Sequence, residues 1–326
     1  MTHYTRKRIF ILILSYLLPN TLFADNESPW YVSTSANINL SVFSESEIID
    51  TQTELSFFID ADYVEKFSLS AGLIYQEQKN LNNILNNILY AGGQYHIYPE
   101  SMPGKVTLSI DTYHEGKNSA VKKTSNNIPG PGGGMPQTTS VTTERISNSL
   151  KIVNPVVSFM NYTKSLYADL GYAYSEYASS DTEIEKFNVK QWTPTLGFSF
   201  NDQYDWLIFR HYNIDLSNDS RSPGITKTSA YEIKLTHWVK NTDNSSLDNL
   251  QFSFLTGDRL FTVDHDARKV YNLSDMQTAA LSIGGNWKYK NKSSFYIYTG
   301  LEEYKNIFSN NDYYNIFIYS GYKKNW

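Results

Sequence analysis

Residues 30–43 read WYVSTSANINLSVF. Trp30, Val32, Ala36, Ile38, Leu40 and Val42 share one parity, while Ser33, Ser35, Asn37, Asn39 and Ser41 share the other. Successive side chains of a strand point to opposite faces, so this period of two is a strand with one apolar and one polar face. ELSFFIDADY (54–63) repeats the pattern, setting Leu55, Phe57, Ile59, Ala61 and Tyr63 against Glu54, Ser56, Asp60 and Asp62. KVTLSIDTYHE (105–115) and TAALSIGGNWKY (278–289) repeat it again.

Marking every such run predicts fourteen strands, near 30–43, 51–64, 67–76, 88–98, 105–115, 145–160, 165–177, 187–200, 204–216, 227–240, 247–257, 277–289, 293–304 and 313–326. QEQKNLNNILNNIL (76–89) interrupts the series and reads as a loop or one short turn. Short connectors such as NYTK (161–164) and NDQ (201–203) alternate with long ones such as 116–144 and 258–276. Short turns at one end and long loops at the other describe an all-β, up-and-down antiparallel barrel spanning a membrane. A soluble sandwich or a lipocalin-like barrel also alternates, but its strands are commonly about five or six residues long. Those predicted here are long enough to cross a bilayer at a tilt. A mean hydropathy of −0.44 excludes a bundle of membrane helices. It does not exclude a barrel, whose wall needs only every second residue apolar.

The first residues carry Arg6, Lys7 and Arg8, then the run Ile9 to Leu18, then Leu22-Phe23-Ala24. That order is expected of a cleaved secretory signal peptide over residues 1–24, leaving 25–326 as one barrel domain. The remainder has 25 Lys and Arg against 33 Asp and Glu, a net charge near −8, which argues against nucleic acid as a partner. With no cysteine, neither a disulfide framework nor a lipid anchor on cysteine is available.

Trp30, Tyr63, Phe67, Phe200, Trp206, Trp287, Tyr289 and Trp326 fall at the short-turn ends of their strands on the apolar parity. They are expected to form an interfacial girdle. The chain ends YYNIFIYSGYKKNW (313–326), with Ile316, Ile318, Tyr322 and Trp326 on one face. This stretch resembles the C-terminal strand of bacterial outer-membrane β-barrel proteins, the porin-like class, which ends in Phe or Trp and is read by the barrel-assembly machinery. Lys324 departs from that pattern, where an apolar or aromatic residue is usual, and near an interface a lysine can snorkel. The resemblance implies an outer-membrane location, outer-membrane lipid around the wall and the assembly machinery as a partner. It names no solute.

A barrel of about fourteen strands is expected to hold a modest pore, with NNIPGPGGGMPQTTS in the loop 116–144 long enough to fold inward as a constriction or to stay outside. The candidates to line it are Glu54, Asp60, Asp62, Lys105, Asp111, Lys151, Asp169, Glu232, Lys234 and Lys288. The expected function is a passive or weakly cation-selective channel for small hydrophilic solutes, the cation preference following from this acidic lean and led by Asp60 and Asp62. The same groups can instead pair across strands as an internal lattice. Arg210 falls on the lipid parity with Trp206, Ile208 and Tyr212, where arginine costs roughly 2 to 4 kcal/mol. It is expected to point inward, through a bulge or because the stripe is misread. Asp264-His265-Asp266 and His114-Glu115 match no catalytic motif, no cofactor or metal site is expected, and the chain reads as a non-enzyme. A plugged barrel with a structural, secretion-associated or surface-binding role is the alternative, ahead of a membrane-embedded hydrolase.

Overall fold

The computed structural model describes residues 29–46, 49–64, 66–79, 84–115, 120–127, 139–146, 148–179, 187–217, 222, 224–240, 246–271, 275–289 and 292–326. Its strands are β1 (Trp30–Ser44), β2 (Thr51–Tyr63), β3 (Phe67–Lys79), β4 (Ile84–Ile97), β5 (Gly104–Glu115), β6 (Ala120–Asn127) and β7 (Thr139–Ile146). Then come β8 (Asn148–Asn161), β9 (Leu166–Ser179), β10 (Phe187–Phe200), β11 (Asp205–Leu216), β12 (Lys227–Trp238) and β13 (Leu247–Arg259). The last are β14 (Val263–Asp264), β15 (Lys269–Val270), β16 (Met276–Tyr289), β17 (Ser293–Lys305) and β18 (Asp312–Asn325). Fourteen of them close a barrel, each antiparallel to its neighbours, while β6 with β7 and β14 with β15 form small sheets of their own. Closure joins the chain ends: β1 pairs with β18 from Ser33↔Asn325 to Ser44↔Tyr314. Trp326 donates its backbone N–H to Val32 O (2.9 Å) and its indole N–H to Thr34 Oγ1 (3.3 Å), and Lys324 Nζ lies 3.8 Å from its ring centroid. The terminal aromatic therefore belongs to the seam that removes the last open edge.

The outward face is apolar. Leu40, Leu73, Leu108, Leu196, Phe254, Ile283, Ile316, Ile318 and Tyr322 all stand exposed on the outside of the wall. A soluble protein rarely exposes a continuous apolar surface of this kind, so the fold is a transmembrane barrel. Trp30 packs edge-on against Tyr63 and Phe67 at the short-turn rim, and Phe200, Trp287 and Tyr289 also face outward there.

Three expectations change, and one open choice, at Arg210, is settled. QEQKNLNNILNNIL is not a loop: β3 runs on to Lys79 and β4 begins at Ile84, so only 80–83 connects them. Gln76, Gln78 and Asn86 face inward and pair as amides, Gln78 Nε2 on Gln52 Oε1 (3.2 Å) and Asn86 Nδ2 on Gln76 Oε1 (2.9 Å). On β11 the register with β10 is continuous, and the inward parity is the one holding Arg210, Tyr212, Ile214 and Leu216. No bulge turns Arg210; the apolar stripe of that strand simply faces the lumen. Trp206 goes with it, lining the short-turn mouth beside Ile208 rather than joining the lipid girdle. Lys151 is exposed on the outer face of β8, because Leu150 and Ile152 take the inward positions. Loop 116–144 has its flanks in β6 and β7, and its Gly/Pro centre falls in 128–138, outside the described residues.

Register shifts flank one connector. β13 shifts against β16 between Thr256 and Arg259, and β16 shifts against β17 between Gln277 and Ala279. At the first, Gly257 adopts φ +97°, and a Cβ there would meet Ser229 O at 2.6 Å. A bulge re-aims the chain that follows it. Here it turns residues 260–271 into the barrel.

The assignment of faces has a direct check. Ile283→Arg, outward at the middle of β16, should lower stability in reversible unfolding from lipid vesicles by roughly 2 to 4 kcal/mol. Ser282→Arg, one residue along and facing the lumen, should lose clearly less; equal losses would contradict the parity.

Candidate functional site

The loop 260–271 lies inside the lumen and has two different faces. Leu260, Phe261, Val263 and Val270 are buried and join a cluster with the inward Tyr177, Phe187, Val189 and Ile214. The Phe261 ring centroid is 4.8 Å from that of Phe187 and 5.2 Å from that of Tyr177. Apolar residues on the inward parity near the long-loop end are thereby explained: they pack against the loop. Gln191 holds the loop backbone, donating from Nε2 to Val263 O (2.8 Å) and accepting at Oε1 from Val263 N–H (2.9 Å). The tip closes on Asp264, whose Oδ1 accepts the N–H groups of Asp266 and Ala267, each at 3.1 Å.

The polar face centres on Arg210, which is 3 % exposed. Its guanidinium donates from Nε to Thr195 Oγ1 (3.2 Å) and from Nη1 to Glu232 Oε2 (3.3 Å), and Nη1 lies 3.6 Å from Asp264 Oδ1. Its Nη2 binds the Asp266 carboxylate. Thr195 and Glu232 stand directly beside Arg210 in the strand ladders, so the wall presents a fixed receptor for the loop acids. A buried guanidinium matches carboxylates in fork geometry and keeps its charge. The second anchor runs the other way: Arg268 Nη2 pairs with Asp60 Oδ1 (2.7 Å) and sits about 5 Å from the Phe58 and Tyr90 ring centroids. Arg259 donates to Gln277 Oε1 (2.8 Å) and lies 4.1 Å from the Tyr271 ring centroid.

These contacts set the protonation of the loop. Burial, the largest influence, pushes the Asp264 and Asp266 carboxyls up, but Arg210, Lys234 and His265 together outweigh it and hold both below the usual carboxylate range. His265 has its Nε2 3.2 Å from Asp266 Oδ1 and 3.8 Å from Asp169 Oδ2. Burial opposes its charge and Arg210 repels it, yet Asp169 and Asp266 prevail and raise its pKa. Asp111 on β5 and Asp264 add to the negative field it sees.

Two large cavities reach from the short-turn end to the loop. One, about 990 Å³, is lined by Asp62, Lys105, Asp111, His265, Asp266 and Arg268 among others. The other, about 630 Å³, meets Glu54, Asp60, Glu232, Lys234 and Lys269. Asp169 is buried on the inward face and accepts the Tyr167 hydroxyl (2.7 Å). Lys288 stands at the rim and pairs with Asp248 at 2.6 Å. The structure thus gathers most of the sequence candidates around the loop, and places Lys151 elsewhere. Reading by alternation missed the loop itself, because no strand period marks it; the signal available was apolar Leu260, Phe261, Val263 and Val270 in a supposed solvent loop dense in alternating charge.

No protein-family model and no curated protein matches this sequence. Solved structures share its fold. The CymD monoaromatic hydrocarbon channel is similar over 91 % of this chain and 88 % of its own, with TM-score 0.52 and 8 % identity. The toluene transporter TodX of P. putida is similar over 92 % and 90 %, at TM-score 0.50 and 9 % identity. The toluene transporter TbuX of Ralstonia pickettii is similar over 91 % and 89 %, at TM-score 0.50 and 8 % identity. The fold is therefore that of bacterial outer-membrane β-barrel channels.

Arg210→Met removes the receptor and leaves buried carboxylates unpaired, a loss of about 3 to 5 kcal/mol for such a site. Amide exchange across 260–271 should then speed up by roughly a hundredfold or more while the barrel strands stay protected; unchanged protection would show that the ion pairs do not hold the loop. The charges also give a pH window. Stabilisation from His265, whose pKa is raised, is present at low pH and lost as pH rises through that value; stabilisation from Asp264 and Asp266, whose pKa values are lowered, is lost as pH falls through theirs. Loop protection, corrected for intrinsic exchange, should peak between the two, and His265→Gln should abolish only the alkaline decline.

Proposed function

We propose that this protein is an outer-membrane channel for small hydrophilic solutes, closed at rest by the loop 260–271. The observation that carries the reading is the kind of bond that holds the obstruction. The loop is tethered inside a closed barrel by side-chain ion pairs and amide bonds, and β14 and β15 pair only with each other, not with the wall. Such a segment can leave without opening the barrel. The two polar cavities support passage of hydrated molecules up to the loop. Export through the signal peptide 1–24, insertion by the barrel-assembly machinery and residence in outer-membrane lipid belong to the same reading. Asp264, His265 and Asp266 act as anchors in it, and the protein is not an enzyme.

A weak cation preference forms part of the proposal and rests on Asp62, exposed at the mouth, more than on Asp60, which Arg268 already engages. One observation favours a plugged scaffold instead: the hydrophobic packing of Phe261 and Val263 against the wall. A planar-bilayer experiment separates the two. Replacing 260–271 by a short Gly-Ser linker should give a steady conductance about tenfold or more above that of the wild type. Its cation preference under a salt gradient should fall with Asp62→Asn. A folded, inserted linker variant that carries no current would refute the channel and leave the scaffold.

A further inference from the structure

A third cavity, about 570 Å³, lies at the short-turn mouth, where the loop tip meets β8 to β12. Its floor is apolar, built from Met160 on β8, Trp206 and Ile208 on β11, and Trp238 on β12. Trp206 rests on bare backbone, since a Cβ on Gly197 would lie 3.1 Å from its indole ring. Phe200 and Tyr289 at the same rim turn outward, as the aromatic side chains of a barrel mouth commonly do. The two indoles instead line the lumen. Apolar side chains that wall a cavity of this size, with a few polar groups converging on it, are the usual make-up of a small-molecule site.

The floor leads to the buried cation. Trp206, Ile208 and Arg210 follow one another on the inner face of β11, so the apolar strip runs directly up to the guanidinium. The Asp266 carboxylate stands between the two. Its side chain is 38 % exposed and borders all three large cavities, whereas that of Arg210 is 1 % exposed. Asp266 thus covers Arg210 from the water side, and it has room to turn away into the cavities.

The charges of this corner decide what can replace it. Among the described residues that line the third cavity, the charged ones are Lys164 and Asp266. Behind Asp266, Arg210 also meets Glu232 and Asp264, and Lys234 Nζ lies 3.9 Å from Glu232 Oε1. Arg210, Lys234 and Lys164 therefore balance Glu232, Asp264 and Asp266. The neighbouring acids are engaged elsewhere, Asp169 facing His265 and Asp60 pairing with Arg268. When Asp266 turns away, the corner lacks one negative charge beside a guanidinium whose fork geometry suits a carboxylate.

A ligand fitting this corner carries a flat apolar body for the indoles and one carboxylate for Arg210, the group that Asp266 already supplies in tethered form. A hydrocarbon cannot compete for the guanidinium, and an inorganic anion makes no use of the apolar floor. We infer that the third cavity binds a small aromatic monocarboxylate, which stacks on Trp206 and Trp238, takes Arg210 from Asp266 and so unlatches the loop tip. The inference gives the closed channel proposed above an opening ligand and rests on that reading for its effect on passage. Binding is measured without current, so either can fail alone.

The test uses the refolded full chain in detergent and isothermal titration with phenylacetate at constant ionic strength, beside benzyl alcohol (the ring without the charge) and acetate (the charge without the ring). Phenylacetate should bind the wild type, and each of the other two should bind about tenfold more weakly or worse. Trp206→Leu with Trp238→Leu should weaken phenylacetate by about tenfold. Asp266→Asn, which removes the tethered competitor, should tighten it by about tenfold, a gain that a purely structural role for Asp266 does not give. Saturating phenylacetate should also speed amide exchange at the loop tip of the wild type by about tenfold. Compact migration in unheated gels verifies that each variant is folded. No binding by folded wild type overturns the assignment, and so does benzyl alcohol binding as tightly as phenylacetate. An Asp266→Asn variant that binds no tighter, or a tip whose exchange is unchanged at saturation, overturns the unlatching.

Discussion

The interior of this barrel depends on one buried cation. Arg210 sits in the wall with Thr195 and Glu232 as strand neighbours and takes Asp264 and Asp266 from the loop. A guanidinium in that position is costly without acids, and the loop acids are costly without the guanidinium. Neither side of the contact is stable alone in a low-dielectric lumen, so the two specify one another. The pairing fixes where the loop tip rests, and Arg268 on Asp60 fixes its far side.

From that constraint the two halves of the lumen follow. Toward the long-loop end, the loop offers Phe261 and Val263, and the wall answers with Phe187, Val189 and Ile214, all almost fully buried. Toward the short-turn end, the wall keeps serines, amides and tyrosines around cavities large enough for solute. Register shifts between Thr256 and Arg259 and between Gln277 and Ala279 flank the loop on either side. The lumen is asymmetric: it holds polar cavities toward the short-turn end, and beyond them a segment bound to the wall through side chains.

Much of the wall was legible in the residues. Alternation located every barrel strand, including the terminal one, because a half-exposed strand cannot hide a period of two. It failed where both faces are apolar. On β8 and β11, Leu150, Ile152, Tyr212 and Ile214 look lipid-facing until something inside is there to bury them. Trp206 and Lys151 were misplaced for that reason. The loop was illegible because its anchors are remote: Asp266 and Arg210 lie 56 residues apart, and Arg268 and Asp60 lie 208 apart. A run of charge in a connector says nothing about a partner that only barrel closure brings near.

The native absence of cysteine allows a clean measurement of the loop position. Val263→Cys and Ala267→Cys, each in vesicles of known orientation, can be exposed to a membrane-impermeant thiol reagent from either side. Val263 is 1 % exposed, and Ala267 lines the cavity that opens to the short-turn end. The account predicts that the Ala267→Cys variant is labelled only from the short-turn side and that the Val263→Cys variant is labelled from neither. Rapid labelling of the Val263→Cys variant from the long-loop side would contradict it and place the loop outside the barrel.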